Sequence, residues 1–257
     1  TVQEIWNWLD GFAPFSTQED FDNAGLLVGD PRAEVSRVLF AVDATTAVVQ
    51  DAVAWGAQLL ITHHPLMFGG IHQIRYDLPE GETLRAIISA GLHLIAVHTN
   101  LDAAEGGTGD SLATAVGLTD VRACGDSAYL RAGSFPAPKT ASSLLGTLRE
   151  RLGGPIRYYG DPNRTIRRMA VGAGADGGEF AQAASAGAQA FVVGEMKHHE
   201  LLAAIAMGLS VYEVGHHFSE QPGIAALCQR FQSAAMDGRW PVQARLTNIP
   251  PFDCTIA

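Results

Sequence analysis

Six of the nine histidines in the sequence stand at or just beyond the ends of short apolar runs that predict β-strands. The carboxyl ends of the strands in an α/β sheet open into a crevice where ligands bind. Imidazole is a ligand for zinc, iron and nickel, and it also transfers protons near neutral pH. The placement therefore predicts a chemical site at these strand ends. The six residues are His63, His64, His98, His198, His216 and His217.

The motif Thr62-His63-His64-Pro65 directly follows an apolar run. Adjacent side chains that leave a strand point to opposite sides. Both imidazoles therefore serve one site only if the chain turns there or if two ions lie side by side. The alternative is one histidine in the core and one at the surface.

His98 ends another predicted strand and is followed four residues later by Asp102. A carboxylate at this position is able to bridge two cations, and the glycine-rich residues 105–110 let the backbone come close to a ligand. We expect Asp110 to cap a helix over residues 111–116. The alternatives are that Asp102 only forms a turn and that His98 supports it without touching a metal.

His216 and Glu220 show a similar pairing of imidazole and acid after a later strand. If a helix begins near Phe218 or Ser219, Glu220 lies in its first turn and converges with His216 on one point. His217 then points elsewhere. The alternative is that Glu220 only complements the helix dipole.

Together these segments supply three or four imidazoles and two carboxylates. Such a set is typical of two adjacent divalent ions about 3.5–4 Å apart. A further polar segment at residues 194–200 contains His198 and His199. His198 either lines the cleft and moves a proton or belongs to a polar helix start.

Apolar β-branched runs alternate along the chain with longer alanine-rich helical windows. This order predicts an α/β fold with mixed, mainly parallel sheets flanked by helices. The predicted strands are residues 37–42, 58–62, 92–98, 168–172, 190–194 and 210–214. The predicted helices are residues 46–55, 82–90, 140–152, 177–186, 199–207 and 221–231.

An imperfect internal repeat indicates two related α/β halves. The tripeptide Gly-Ala-Gln at residues 56–58 recurs at residues 187–189, each time before a strand. In both halves a later strand ends in a histidine followed four residues on by an acid. The alternative is that these glycines simply end helices.

We expect the first half to cover residues 1–122 and the second to cover residues 123–257, with the metal cleft between them. The segment 121–138 contains Cys-Gly-Asp-Ser and Pro-Ala-Pro, and it is interpreted as a linker or edge region. Whether residues 235–257 pack back on the first half stays open.

The composition disfavours several classes of protein. The 257 residues carry a formal net charge of −10 and only two lysines, whereas nucleic-acid binders normally have a basic stripe. The longest stretch without charged side chains, residues 52–74, contains histidines, a proline and glycines and is not a membrane span. Three dispersed cysteines, Cys124, Cys228 and Cys254, predict free thiols and a cytoplasmic location.

Five separated motifs resemble the GTP cyclohydrolase I type 2 homolog family, also called the Nif-three-like or YbgI-like family. The motifs occur in the same order within a resemblance that spans about residues 4–230. They are DNAGLLVG at 22–29, THHP at 62–65, HTNLD at 98–102, GEMKHH at 194–199 and GHHFSE at 215–220. One departure is Gly109, where the family usually has Asn.

The resemblance implies two divalent metal ions per subunit, of Zn, Fe, Mn or Ni. The implied metal ligands are His63, His64, Asp102, His216 and Glu220. His98 lies against the implied site, where it coordinates a metal or, like His198, carries protons. The resemblance also implies a homohexameric ring whose metal sites face an inner cavity.

The function that follows is hydrolysis of a nucleotide or similar small molecule by a metal-activated water. If the cyclohydrolase name applies, the substrate is GTP and the attacked atom is purine C8. The sequence lacks a GxxxxGK[ST] motif, so phosphates would meet the metals or arginines such as Arg75 and Arg131. The alternative is a non-enzymatic, ring-shaped metal-binding scaffold or metal chaperone, and nucleic-acid binding is disfavoured by the charge.

Overall fold

The computed structural model of the protein describes residues 1–250 and residue 252. The strands are β1 (Gly25–Val28), β2 (Arg37–Ala41), β3 (Leu59–Thr62), β4 (His93–Ala96), β5 (Thr119–Ala123), β6 (Arg131–Thr140), β7 (Arg157–Tyr159), β8 (Thr165–Gly172), β9 (Ala190–Val193), β10 (Ser210–Glu213) and β11 (Gln243–Leu246). The helices are α1 (Val2–Phe12), α2 (Thr46–Trp55), α3 (Pro79–Ser89), α4 (Thr99–Ala103), α5 (Thr108–Val116), α6 (Ala141–Leu152), α7 (Phe180–Ser185), α8 (His198–Ala206) and α9 (His216–Ala234). All six strands predicted from the sequence are present.

The chain divides into two compact units. The first contains Thr1–Ala104 and the described residues from Ile224 onward, and the second contains Glu105–Gly223. The predicted division after residue 122 differs from this, because the chain leaves the first unit directly after α4 and returns to it within α9. The prediction used a single division point, which cannot describe a unit made of two separate segments of the chain.

The first unit is built on a five-stranded sheet in the order β1-β4-β3-β2-β11. Neighbouring strands in the series β4-β3-β2-β11 pair in parallel, and β1 pairs antiparallel with β4. Both faces of the central strands are buried. Phe40 and Ile61 pack in one core with Ile5 and Leu9 of α1, whereas Leu60 packs in another core with residues of α2. Because both faces of these strands are buried, their sequences are continuous apolar runs.

The C-terminal strand β11 belongs to the sheet of the first unit. It pairs in parallel with β2, so that Gln243 lies opposite Arg37. The Arg245 guanidinium donates hydrogen bonds of 3.1 and 2.7 Å to the two carboxylate oxygens of Asp51 in α2. The Thr247 hydroxyl donates a third hydrogen bond of 2.7 Å to the same carboxylate. Residues 243–247 therefore pack on the first unit.

The second unit is built on a six-stranded sheet in the order β5-β6-β8-β9-β10-β7. The mixed α/β class predicted from the sequence is confirmed. In this sheet, however, only the pairs β8-β9 and β9-β10 are parallel, and the other three pairs are antiparallel. The expectation of mainly parallel pairing therefore fits the first sheet and not the second.

Residues 121–138 do not form a linker, because this segment contains part of β5 and most of β6. The alternative of an edge region fits β5, which is an edge strand of this sheet. The Cys-Gly-Asp-Ser sequence makes the turn between these strands, where the Leu130 amide donates to the Ser127 hydroxyl. Pro136 and Pro138 lie where the pairing of β6 with β8 shifts register, between Ser134 and Lys139. Proline is tolerated at such irregularities because no ladder hydrogen bond is lost.

Both units contain the same succession of elements, which confirms the internal repeat. In the first unit the order is α1-β1-β2-α2-β3-α3-β4-α4, and in the second it is α6-β7-β8-α7-β9-α8-β10-α9. The side-chain oxygen of Gln58 accepts the Arg37 amide at 2.9 Å. That of Gln189 accepts the Arg168 amide at 3.1 Å. The repeated Gly-Ala-Gln tripeptides therefore make the same contact to the neighbouring strand.

Asp110 does not cap α5, contrary to the sequence prediction. The helix begins at Thr108, and Asp110 lies inside its first turn. Its carboxylate accepts hydrogen bonds of 2.9 Å from the Gly106 amide and from the Arg131 guanidinium. Asp110 thus holds the glycine-rich loop before the helix against β6.

The two cysteines within the described residues, Cys124 and Cys228, are buried and free. Burial disfavours their thiolate forms and raises the pKa of each to about 11. Cys254 lies outside the described residues. Among the helices of residues 1–250, none combines the length and the apolar character needed to cross a membrane.

Replacement of Gly109 by alanine is expected to destabilise the second unit. A Cβ at this position would lie 2.4 Å from the carbonyl oxygen of Tyr129. We predict a loss of about 1–3 kcal/mol in the free energy of unfolding, measured by urea titration. Gly146→Ala in the exposed part of α6 is the control, because nothing lies within 4 Å of its Cβ position. The control should gain about 0.5–1 kcal/mol. An unchanged urea midpoint for Gly109→Ala would show that the Tyr129 carbonyl does not restrict this position.

Asp51→Asn is expected to remove a stabilising contribution that depends on pH. The hydrogen bonds from Arg245 lower the pKa of Asp51. Burial acts in the opposite direction, and the hydrogen bond from the Thr247 hydroxyl lowers the pKa further. A carboxyl pKa lowered by folding stabilises the protein above the unfolded value of about 3.9, and this contribution is lost as the pH falls. The variant should be about 1 kcal/mol less stable at pH 7. The difference in stability between wild type and variant should be smaller at pH 3. An equal difference at pH 3 and pH 7 would contradict the lowered pKa of Asp51.

Candidate metal centre

Three imidazoles converge in the first unit. Ring nitrogens of His63, His64 and His98 all lie within 4.8 Å of one another. The ring centroids are separated by 5.0 to 5.5 Å. His63 and His64 follow β3, and His98 lies two residues beyond β4. Because β3 and β4 are adjacent and parallel, their carboxyl ends bring the three side chains to one edge of the sheet.

The Nδ1 atoms of His63 and His64 are engaged by oxygen acceptors. His63 Nδ1 lies 2.8 Å from the carbonyl oxygen of Val97, and His64 Nδ1 lies 2.7 Å from Asp43 Oδ1. A carbonyl or carboxylate oxygen only accepts hydrogen bonds, so the proton is assigned to Nδ1 and the lone pair to Nε2. Histidines that bind metals are oriented in this way. The His63 side chain is fully buried, and the His64 side chain is 20% exposed.

His98 is oriented by a third acceptor, Asp22. Its Nδ1 lies 2.8 Å from Asp22 Oδ1. The other carboxylate oxygen accepts hydrogen bonds from the amide and the hydroxyl of Thr99. Burial opposes the charged form of Asp22, but the hydrogen bonds from His98 and Thr99 outweigh burial and lower its pKa. An ionised Asp22 therefore holds the proton on His98 Nδ1.

Asp102 lies beside this cluster, in the short helix α4. Its Oδ1 is 3.6 Å from His63 Nε2, and its side chain is 20% exposed. The His98 ring is held by Asp22 through Nδ1, and the His98 carbonyl accepts the Asp102 amide at 3.1 Å. Three imidazoles and one carboxylate are a donor set that suits zinc and other borderline divalent ions. The residues present in the first unit therefore fit a bound metal.

In the second unit, His216 and Glu220 lie one turn apart on α9. His216 Nε2 is 3.0 Å from Glu220 Oε1, and the Glu220 side chain is only 5% exposed. The predicted helix start near Phe218 or Ser219 is wrong, since α9 begins at His216. The earlier start places His216 and Glu220 on the same face, because residues four apart on a helix are neighbours.

Ser219 and Gly174 shape the backbone around this pair. The Ser219 hydroxyl accepts the Gly174 amide at 2.8 Å and donates to the His216 carbonyl at 2.6 Å. Gly174 has φ +53°, and a Cβ there would lie 2.5 Å from Glu220 Oε1. A glycine is thus required for the close approach of this backbone to the carboxylate.

Other candidates from the sequence lie apart from these contacts. His198 is exposed at the first position of α8, and the described groups of potential ligands do not contain it. Arg131 is buried against Asp110 and the Ala128 carbonyl, so its guanidinium is not placed for a phosphate. Arg75 pairs with exposed Asp77.

Sequence reasoning missed the two carboxylates that orient histidines. Asp43 comes two residues after β2, so the strand-end rule that selected the histidines could also have found it. Asp22 precedes β1 and is hydrogen-bonded to His98, which lies 76 positions later in the sequence. Its only signal is the motif at residues 22–29.

Asp43→Ala is expected to weaken metal binding without removing a ligand. The His64 ring would lose the acceptor that fixes its tautomer and orientation. Loss of such an outer partner typically costs about 10–100-fold in metal affinity. The measurement is competition with a chelator for zinc. Asp77→Ala removes an exposed aspartate that pairs with Arg75 and serves as the control. Equal affinities for Asp43→Ala and the wild type would contradict this role.

A protein family and two curated proteins match most of this chain. A family model described as Duf34/NIF3 (NGG1p interacting factor 3) matches residues 1–250. A protein of Clostridium acetobutylicum called GTP cyclohydrolase 1 type 2 homolog is 29% identical over 98% of this chain and 97% of its own length. A Streptomyces coelicolor protein of the same name is 34% identical over 86% of this chain and 82% of its own.

Solved structures share the fold along nearly the whole chain. A Bacillus cereus protein related to NIF3 superposes with a TM-score of 0.92 over 99% of both chains, at 19% identity. A Staphylococcus aureus hypothetical protein superposes with a TM-score of 0.91 over 99% of both chains, at 27% identity.

Proposed function

The chain belongs to the Duf34/NIF3 family, and on that premise we propose that it is a dinuclear metal-binding protein that acts as a metal-dependent hydrolase. One observation carries the proposal. In the first unit three imidazoles converge, and the Nδ1 atom of each is held by an oxygen acceptor. This arrangement presents three Nε2 atoms, which is the form in which neutral histidines bind metals.

We propose that two divalent ions are held by five side chains from the two clusters. Neutral imidazoles and two carboxylates would offset part of the charge of two such ions. When bound, the ions would supply Lewis acidity and a water of lowered pKa. The metal identity is left to measurement among Zn, Fe, Mn and Ni. The proposed ligands are His63, His64, Asp102, His216 and Glu220.

The remaining groups would orient the ligands and move protons. Asp43 and Asp22 would keep the protons on the Nδ1 atoms of His64 and His98. His98 Nε2 would coordinate as a further ligand or accept a proton during hydrolysis. His198 remains a proposed proton carrier, because imidazole transfers protons near neutral pH.

The proposed substrate is a nucleotide or a similar small molecule. Relatives that match most of this chain carry the name GTP cyclohydrolase 1 type 2 homolog, which makes GTP the first compound to test. We further propose that the protein assembles as a homohexamer. Light scattering would then give six times the chain mass of 27.2 kDa, and the mass of a monomer would contradict the assembly.

The test combines metal content with turnover. Wild-type protein loaded with Mn, Fe, Zn or Ni should contain two ions per chain and hydrolyse at least one member of a panel of nucleotides and phosphoesters. His64→Ala and Asp102→Ala should each lose at least one ion, with a rate lowered by about 100-fold or more. His217→Ala is the matched control and should keep both ions, because His217 is not among the proposed ligands.

Two outcomes would count against the proposal. Equal rates for wild type and His64→Ala would exclude hydrolysis at this site. Two ions per chain in Asp102→Ala would show that the ligand set is wrong. Fully metallated protein that turns over nothing, yet retains one defined protein partner, would favour the non-enzymatic scaffold or metal chaperone.

A further inference from the structure

The chain bends directly after β3, at His63 and His64. The amides of both residues donate to the carbonyl of Val42, at 3.1 and 3.0 Å. Two successive residues that face one residue of the partner strand are the pattern of a β-bulge, which bends a strand and redirects side chains. Adjacent side chains of a regular strand point to opposite faces, but here the two ring centroids lie only 5.0 Å apart. The bend therefore brings the two imidazoles together.

The side chain of Thr62, the last residue of β3, spans this bend. Its hydroxyl donates a hydrogen bond of 2.8 Å to the His64 carbonyl, and the residue is fully buried. A threonine side chain is stiff because it branches at Cβ. Pro65 follows and has no N–H with which the strand could continue its ladder of hydrogen bonds. The Thr62 hydroxyl therefore ties together the backbone on either side of His63.

Thr62 is also fixed to the neighbouring strand segment. Its carbonyl accepts the Val97 amide at 2.8 Å, and the Val97 carbonyl lies 2.8 Å from His63 Nδ1. The residue that holds the His64 carbonyl is thus bonded to the residue that orients the His63 ring. Both histidines depend on the placement of Thr62.

The second unit contains an internal comparison for this hydroxyl. Gln58 and Gln189 make equivalent contacts to neighbouring strands, so the two strands that follow them can be aligned on these residues. In this alignment Val193, at the end of β9, takes the place of Thr62 at the end of β3. Valine has nearly the same shape as threonine but lacks the hydroxyl. The repeat therefore contains the same strand end with and without this hydrogen-bond donor.

The two strand ends hydrogen-bond the neighbouring chain at different positions. Glu195 takes the place of His64, and its amide donates to the Gly174 carbonyl at 2.8 Å. Gly174 takes the place of Asp43, so this bond lies one residue further along the chain than the bond from His64 to Val42. The strand end that carries the hydroxyl is therefore the one whose amide is drawn back to Val42.

We propose that Thr62 is a positioning residue, whose hydroxyl holds His63 and His64 together as metal ligands. The hydroxyl is bonded to the His64 carbonyl, so it acts through the backbone and not on the metal. The inference rests on the proposed function, in which both histidines are ligands. It adds the residue that allows two adjacent histidines of a strand end to serve one site.

Thr62→Val removes the hydroxyl and keeps the shape, and valine is already accommodated at the equivalent strand end of the second unit. Zinc affinity, measured by competition with a chelator, should fall about tenfold or more, as when other outer partners of metal ligands are lost. Thr62→Ser restores the donor and should bind zinc within about threefold of wild type. Equal affinities for Thr62→Val and wild type would overturn the proposal.

Thr83→Val is the control for a merely structural role. Thr83 is another buried threonine of the first unit, and its hydroxyl lies 3.0 Å from the Thr46 hydroxyl. Each valine variant loses a buried hydrogen bond, so both should have a lower urea midpoint. Only Thr62→Val should lose zinc affinity. An equal loss of affinity in both variants would show that Thr62 acts on stability alone, and this would overturn the proposal.

The crystal structure of metal-free Thr62→Val tests the positioning without any ion. We expect the His64 amide to donate to the Asp43 carbonyl, as its counterpart does in the second unit, and the rings of His63 and His64 to separate. A His64 amide still bonded to Val42, with ring centroids still 5.0 Å apart, would refute the role of the hydroxyl.

Thr62→Ala, which also removes the hydroxyl, replaces Thr62→Val in both measurements if the valine variant does not fold. The same loss of zinc affinity and the same separation of the rings are expected. The two proposals fail in different ways. Wild-type protein that binds no metal refutes the proposed function, whereas normal zinc binding and an unchanged bend without the hydroxyl refute only this inference.

Discussion

The candidate site depends on hydrogen bonds that hold histidine Nδ1 atoms against fixed oxygen acceptors. Three acceptors in the first unit, the Val97 carbonyl and the carboxylates of Asp43 and Asp22, each take one ring. Without them the imidazoles would rotate and exchange tautomers, and no common point would be defined. With them, the lone-pair nitrogens are fixed before any ion arrives, which lowers the cost of ordering the ligands on binding.

The fold supplies these acceptors because the polar residues follow parallel strands. Asp43 comes after β2 and His64 after β3, while Val97 and His98 come after β4. The strands themselves are buried on both faces, so chemistry is confined to their carboxyl ends. The same succession of elements in the second unit carries His216 and Glu220 after β10. One supersecondary arrangement therefore produces two clusters of histidine and acid.

Much of the fold and of the candidate site was predictable from the sequence, because the strands and the histidines at their ends have strong local signals. Continuous apolar runs indicated the central strands, and the Gly-Ala-Gln tripeptide indicated the repeat. Strand β6 was missed because Pro136 and Pro138 suggested a linker, although both lie at a register shift. The partner of His98 was missed because Asp22 is distant in sequence and has no periodic context. At Gly109, the nearby Tyr129 carbonyl leaves no room for a side chain.

Anomalous diffraction from wild-type crystals, collected across the absorption edges of Mn, Fe, Ni and Zn, tests the central claim most directly. We predict a metal peak about 2.0–2.2 Å from the Nε2 atoms of His63 and His64, with both Nδ1 atoms still bonded to their oxygen acceptors. The contrary result is a metal peak bound through Nδ1, or no peak near these rings in protein that contains stoichiometric metal. Either would show that the fixed imidazoles serve another purpose.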